Sequence, residues 1–589
     1  MADTGGGTPA ADGVKPYKIH VPTRHLNLAR QKLELTRLPH EGSFPKSTEW
    51  WEPKPVIEPL IDYWLEKYNF RDIESHLNAT IPQFRTSIAL SESQSPLRIH
   101  FIHARSSSAD ALPLLVLPPF PLTNLSISHL INPLTTPTDA THQSFHVVIP
   151  SFPGLGFSDS LPVNLSPVTA TASIFNTLMT SRLGYTHYLT TTTSPGSSSP
   201  AQIDFLLAHA ISTTYSDFCL ATHLISPVLS PPKISTSPLE FAKWSLAWFF
   251  RGGVAGYEER DFLGYYSSPS SSVPNTDIKD PNTLAYGLCD SPVGMLAFVL
   301  RHLKQNSSNS VIGARGTFTK EELITLTNLA WLPGPEGLLR FWSGTSLHHP
   351  AAAAHHHQPP ARSSQTKKPK VGVTVFASSY STTTATTETT VQEKETGEEL
   401  DLSSLGGKPD NGRPKAKFYP PAWAHSSYTV LHTTRIDSHP PTSLLPFESP
   451  EVISSGIRSL AAELLKTDKR IIPVAPLTGI VIDSAPPPIT APATVSTQPK
   501  PEKTTIKPVV SEPPIILRTI KEEKLDVDQE RDQAKGKGIE RVDESLLSPP
   551  PAIPVGVVKR ELSDGSGDMG SPDTLVGDSS PSPSPLGRS

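Results

Sequence analysis

Cysteine and long apolar runs are scarce in this chain of 589 residues. Its two cysteines, Cys219 and Cys289, provide no disulfide framework, and their apolar surroundings predict two buried, reduced thiols. No run of about 18 apolar residues occurs, which argues against an ordinary membrane-spanning helix. The first residues, MADTGGGTPAADG, lack the apolar core of a secretory signal. We therefore expect a soluble intracellular protein, cytoplasmic with the nucleus as the alternative.

Charge of one sign is also scarce. The formal net charge is −5, and charged residues make up 18% of the chain. So small an imbalance gives no global field for nucleic acid or for an anionic membrane, and we expect neither as a partner. Sixty-three prolines and a hydrophobic content of 36% indicate that a large part of the chain does not pack into a core.

Apolar strand patterns alternate with helical ones through the first half of the chain. LRIHFIHARS (97–106) alternates, whereas ALPLLVLPPFP (111–121) and the segment beginning FHVVIP (145–150) are continuously apolar. Short, wholly apolar runs are typical of strands buried in a parallel sheet. The alternation of such strands with helices predicts a doubly wound α/β core.

The segment YLTTTTSPGSSSP (188–200) has the pattern of a nucleophile elbow. A strand-like stretch runs into a Ser-Pro-Gly turn, and an apolar helical face follows from Ile203 to Ile211. Strand, tight turn and helix together lift one side chain above an α/β sheet, here Ser194. The next residue, Pro195, has no backbone N–H to donate to an oxyanion.

Three segments have low-complexity composition. Two are predicted inserts, at 344–370 and 381–416, and the third is a disordered tail at 467–589. The first insert contains HHPAAAAHHHQPP; we interpret it as a biased insert rather than a metal-binding tract, and we expect no metal and no cofactor. In the tail, IKEE and VKRE match the sumoylation consensus around Lys521 and Lys559, which predicts modification and protein partners there.

Several long blocks resemble the microsomal-type epoxide hydrolase family. They are YWLEKYNFRDIESHLN (63–78), PQF (82–84), IHFIHARS (99–106), PSFPGLGFS (150–158) and DPNTLAYGLCDSPVG (280–294). The resemblance implies an α/β-hydrolase core with a wrapping N-terminal module and a helical lid. The predicted organisation is a disordered 1–16, the module at 17–110, core at 111–226, lid at 227–343, the first insert, and core again at 371–466.

The resemblance also implies a two-step reaction. A carboxylate on the elbow opens the epoxide to an ester, and a His–acid pair activates the water that hydrolyses it. The family's elbow, Gly-Gly-Asp-Trp-Gly, corresponds to Thr192–Gly196, which places Ser194 at the nucleophile. Its His-Gly-Trp-Pro corresponds to 118–121, so Phe120 keeps an oxyanion N–H and the bond before Pro121 is expected to be cis.

The remaining family motifs also carry substitutions. The acid of Phe-Pro-x-Glu corresponds to Ser379, and an ungapped match places Ser443 at the catalytic histidine. His439, four residues upstream, is the nearby candidate for a substitute base, and it would need a rearranged loop to fill that role. Of the two lid tyrosines that hold the epoxide oxygen, one corresponds to Trp342 and the other to Tyr265.

We therefore expect a pseudoenzyme that acts by binding a small apolar ligand in the lid pocket or a protein partner. The alternatives are residual epoxide hydrolysis to a diol and a serine-type esterase that uses Ser194.

Overall fold

The computed structural model describes residues 13–40, 54–91, 95–196, 199–259, 261–262, 278–305, 318–348, 368–376, 419–437 and 444–471. Within them, nine strands form one sheet in the order β1-β2-β3-β5-β4-β6-β7-β8-β9. The strands are Lys15–Pro16, Gln83–Ile88, Leu97–Ala104, Leu112–Leu117, Phe145–Pro150, Tyr188–Thr192, Cys219–Ile225, Lys370–Phe376 and Thr429–Ile436, numbered β1 to β9.

The sheet is mixed. The pairs β1-β2, β2-β3 and β3-β5 are antiparallel. The remaining pairs, from β5-β4 through β8-β9, are parallel. Every residue of β4, β5, β6 and β7 is buried, as expected for parallel strands covered on both faces. The α/β class and the central strands are thus confirmed.

Thirteen α-helices lie within the described residues. They are Thr23–Glu34, Lys54–Glu66, Phe70–Thr80, Ile131–Thr135, Pro167–Thr177, Ile203–Thr214, Pro238–Phe249, Pro281–Asp290, Pro292–Gln305, Lys320–Trp331, Glu336–His348, Leu445–Glu448 and Pro450–Thr467, numbered α1 to α13. Thr319 caps α10 in the predicted capping box with Glu322. The five helices α7 to α11 begin in the predicted lid, and α11 continues to His348, beyond the predicted start of the first insert.

Two apolar layers cover the two faces of the sheet. One contains α5, α6 and the lid, and the other contains α4 and the buried stripe of α13 at Ile453, Ile457, Leu460 and Leu464. Ser449 precedes α13 at the N-cap position, as predicted, but its side chain makes no capping hydrogen bond.

One prediction about cysteine is wrong. Cys219 is buried in β7, but Cys289 is exposed because it lies near the end of the lid helix α8, on a face that the core does not cover. The predicted tail beyond residue 471, most of the first insert, the whole second insert, and Lys521 and Lys559 lie outside the described residues.

No single helix in the described ranges is long and apolar enough to span a membrane. The helices Pro281–Asp290 and Pro292–Lys304 pass that length and composition test only as a pair, and they are bent by 118° at their junction.

Candidate active site

The elbow between β6 and α6 is held to both neighbouring strands. The Thr193 hydroxyl donates to the Leu117 carbonyl of β4 at 2.7 Å, and the Gly196 N–H donates to the Ile225 carbonyl of β7 at 2.9 Å. A Cβ at Gly196 would lie 3.0 Å from the Phe205 Cβ, so any other residue would push the turn and α6 apart by a few tenths of an ångström. The elbow predicted from sequence is therefore present, and its lifted residue, Ser194, is fully buried.

Asp204 occupies the space beside Ser194. It is the second residue of α6, is 1% exposed, and accepts a short hydrogen bond from the Ser194 hydroxyl. The two residues immediately before α6, Ala201 and Gln202, have left-handed backbone conformations with φ of 47° and 56°. Such conformations are costly for non-glycine residues. This strained turn places Asp204 within hydrogen-bond distance of Ser194 at the elbow.

The carboxyl group of Asp204 also accepts hydrogen bonds from the predicted oxyanion donor, the Phe120 N–H. The Phe120 N–H donates to its two oxygens at 3.1 and 3.3 Å. The peptide bond between Phe120 and Pro121 is cis, as expected. Neither family oxyanion position therefore offers a free N–H. Pro195 has no N–H, and the Phe120 N–H already donates to Asp204.

Burial raises the pKa of Asp204 to about 7, and hydrogen bonds from Ser194, Phe120 and Ser199 lower it only in part. Desolvation disfavours the charged carboxylate more than these donors stabilise it. Near neutral pH, a substantial fraction of Asp204 is therefore the neutral acid.

An aromatic cluster closes the site toward the lid. Phe120 contacts Phe152, Phe341 and Trp342 with ring centroids 5.6 to 5.9 Å apart. Trp342 is 5% exposed, and its Nε1 has no hydrogen-bond partner in the described part of the chain. A cavity of about 10 Å³, close to the space of one water molecule, lies between the lid and the segment after the cis-proline.

Four predicted site residues lie outside the described residues: Ser379, Ser443, His439 and Tyr265. The structure brings together Ser194 and Phe120 from the predicted set, and joins them through Asp204, which sequence reasoning missed. One signal was available: Asp204 falls on the same helical face as Ala208 and Ile211, the buried face of α6.

A second buried polar network lies within the sheet. His223 Nδ1 is 3.0 Å from the Thr191 hydroxyl, and His223 Nε2 is 2.9 Å from the Thr374 hydroxyl. Burial lowers the pKa of His223 to about 3, so it stays neutral. It connects β6, β7 and β8 and faces Gly456 of α13, and we assign it a structural role.

Comparison with known proteins identifies the family. Residues 14–127 match the family model "Epoxide hydrolase N terminus". A putative epoxide hydrolase of Stigmatella aurantiaca is 30% identical over 328 residues, 54% of this chain and 66% of that protein. Juvenile hormone epoxide hydrolase 1 of Ctenocephalides felis is 25% identical over 49% of this chain and 59% of its own length. The chain thus spans 66% and 59% of the lengths of these two relatives, less than two thirds of each.

Solved structures show the same fold. The crystal structure of juvenile hormone epoxide hydrolase from the silkworm Bombyx mori has a TM-score of 0.53 and 19% identity, covering 77% of this chain and 95% of that one. The Aspergillus niger epoxide hydrolase has a TM-score of 0.51 and 16% identity, with 77% and 97% covered. The fold is that of the α/β hydrolases. The chain belongs to the epoxide hydrolase family.

Proposed function

We propose that this protein is a catalytically silent epoxide hydrolase relative that acts by binding. The observation that carries the proposal is the Asp204 carboxyl group, which is bonded to both the Ser194 hydroxyl and the Phe120 N–H. A group that already satisfies the elbow hydroxyl and the oxyanion donor competes with any substrate oxygen for them. The substitutions at Ser379 and Ser443, inferred from motif matches, support the same proposal.

Binding has a physical basis in the lid. A buried N–H without a partner costs about 1–3 kcal/mol, and no group in the described ranges accepts a hydrogen bond from the Trp342 indole. A small apolar molecule with one acceptor oxygen would satisfy it after displacing aromatic side chains, because the neighbouring cavity is too small for more than a water molecule. We retain protein partners and sumoylation at Lys521 and Lys559 as further proposals, together with a cytoplasmic location.

The test is turnover of styrene oxide and stilbene oxide by the full chain, measured by diol formation. We expect no diol above the uncatalysed rate. A useful reference is the Aspergillus niger epoxide hydrolase, assayed in the same buffer. Diol formation that Asp204→Asn or Ser194→Ala abolishes would overturn the proposal and establish residual epoxide hydrolysis.

One observation favours a second candidate, a serine-type esterase. The Ser194 hydroxyl donates to a buried carboxyl group with a pKa of about 7, which is a suitable pKa for a general base near neutral pH. In this mechanism Asp204 removes the Ser194 proton as the serine attacks an ester carbonyl.

A fluorophosphonate probe separates the two candidates. An activated serine forms a covalent adduct at Ser194 that mass spectrometry locates, and Asp204→Asn would suppress the adduct. A silent site gives no adduct in either protein. Ser151, which is also fully buried, is the internal control for nonspecific labelling.

A further inference from the structure

The lid helix α7 carries an apolar stripe that faces outward. Leu239, Ala242, Leu246 and Phe249 are spaced by three, four and three residues, which places them on one helical face. All four are exposed: Leu239 by 66%, Leu246 by 48% and Phe249 by 76%. Phe250, directly after the helix, is 59% exposed and packs edge-to-face on Phe249 at 5.3 Å.

The opposite face of α7 already has its partner in the fold. Ala247 is fully buried, and Trp244 contacts Trp423 edge-to-face at 6.4 Å. The outward stripe is therefore a second apolar face on a helix whose first face is packed. A helix with apolar residues on both faces is normally covered on both.

The size of the stripe matches a weak protein interface. The side chains of Phe249 and the adjoining Phe250 alone expose roughly 270 Å² if each has a total surface of about 200 Å². With the two leucines, the patch reaches the roughly 300–600 Å² at which an exposed apolar surface is commonly functional. A weak dimer buries less than about 600 Å² on each partner.

Spacing and charge favour another helix over a lipid surface as the occupant. The three-four-three spacing is that of residues that interlock with a facing helix. The charged residues of α7 are Glu240 and Lys243, which neutralise each other in an ion pair at 2.9 Å. A helix lying on anionic lipid normally carries an excess of Lys and Arg on its polar face.

We propose that α7 is a self-association surface that pairs with α7 of a second copy of this chain around a twofold axis. In such a symmetric contact the same stripe serves both partners, so an apolar, self-neutralised helix needs no complementary surface elsewhere on the molecule. This proposal does not depend on whether the protein is catalytic.

Sedimentation equilibrium of the full chain at micromolar concentrations tests the contact. We expect a reversible dimer whose dissociation constant rises roughly 100-fold or more in Leu246→Glu, because the change buries an unpaired charge. The matched control is Val163→Glu, which changes another apolar residue, 91% exposed and outside α7, and should leave the dimer unchanged. Equal melting temperatures for the two variants exclude misfolding as the cause.

A cysteine cross-link gives a positive readout. In a Cys289→Ser background, Ala242→Cys should form an intermolecular disulfide on mild oxidation, whereas Val163→Cys should not. A wild-type chain that sediments as a monomer, or a dimer that Leu246→Glu leaves intact, overturns the proposal. Flotation of the wild type with phosphatidylcholine vesicles, lost in Leu246→Glu, also overturns it and assigns the stripe to lipid.

Discussion

At the scale of single residues, Asp204 determines the chemistry of the elbow. Among the residues that the structure describes, no cation pairs with its carboxyl group, which is bonded instead to a hydroxyl and a backbone amide. Such neutral donors stabilise a charge less than a cation does, which is why burial dominates its pKa.

Asp204→Asn should remove a pH dependence of stability. Burial raises the pKa of Asp204 to about 7, whereas an unfolded Asp titrates near 3.9. Between these values the folded state binds more protons, so the free energy of unfolding should fall as pH rises from about 4 to about 7. The total fall is on the order of 4 kcal/mol, and the curve then levels off. Urea denaturation across this pH range should show the fall in wild type and a flatter curve in Asp204→Asn.

Asp159→Asn is the control of opposite sign. Burial alone would raise the pKa of Asp159, but its hydrogen bonds and ion pairs with Arg98 and Arg85 lower it overall. Its contribution to stability is therefore lost as pH falls, and Asp159→Asn should reduce the acid sensitivity of the protein. A pH profile of Asp204→Asn that matches wild type would show that Asp204 does not titrate in this range.

Ser194→Asp should not restore an active nucleophile by itself. The new carboxyl group would contact Asp204 in a fully buried site, where two adjacent carboxylates cannot both ionise. We expect a lower melting temperature and no diol from styrene oxide. The exchange variant Ser194→Asp/Asp204→Ser keeps one carboxyl group and one hydroxyl, and it should recover most of the lost stability. Diol formation by the single variant would mean that Asp204 moves aside and a working base survives.

At the scale of secondary-structure elements, the packing of α13 on the sheet leaves no room for a side chain at Gly456. A Cβ there would lie 2.3 Å from Nε2 of His223, whose ring Thr191 and Thr374 hold in place. A second helical glycine, Gly287 in α8, has no atom within 4 Å of a Cβ built on it.

The two glycines should respond oppositely to alanine. Alanine favours a helix by about 1 kcal/mol over glycine, so Gly287→Ala should stabilise the protein by up to that amount. At Gly456 the same gain competes with overpacking, which costs about 1–3 kcal/mol, so Gly456→Ala should be destabilising overall. Urea midpoints of both variants measure the difference. Equal stabilisation by both changes would show that the His223 ring moves without cost.

At the scale of the whole molecule, the lid is joined to the core by aromatic packing above the elbow. Phe341 of α11 contacts both Phe120 and Phe152, and it is 4% exposed. The same rings that fill the space above the elbow therefore attach the lid.

Phe341→Ala should lower the stability of the protein and, at the same time, open an apolar cavity beneath the lid. Removing a buried phenylalanine side chain costs about 3–5 kcal/mol. An apolar cavity of that kind stays dry and binds benzene, so benzene should raise the melting temperature of Phe341→Ala but not that of wild type. The matched control is Phe218→Ala, because Phe218 is 42% exposed. Loss of stability without any benzene effect would mean that the site collapses after the substitution.

Local patterns in the sequence determined the central strands, the elbow and the family of this protein. The apolar runs identify β4 and β5 because fully buried parallel strands need apolar side chains on both faces. The elbow and the capping box of α10 depend on residues a few positions apart. The motif blocks identified the family because they are long and contiguous.

Only the tertiary structure decided what the site contains. The contact between Asp204 and the Phe120 N–H joins residues 84 positions apart, and it depends on the register of α6 against β4 and on a strained turn before it. Taken by itself, an Asp in the first turn of a helix predicts only a favourable interaction with the helix dipole. The outward stripe of α7 and the exposure of Cys289 are likewise consequences of tertiary packing. Composition shows that a segment is apolar, but only the packing of the remaining elements decides which of its faces the core covers.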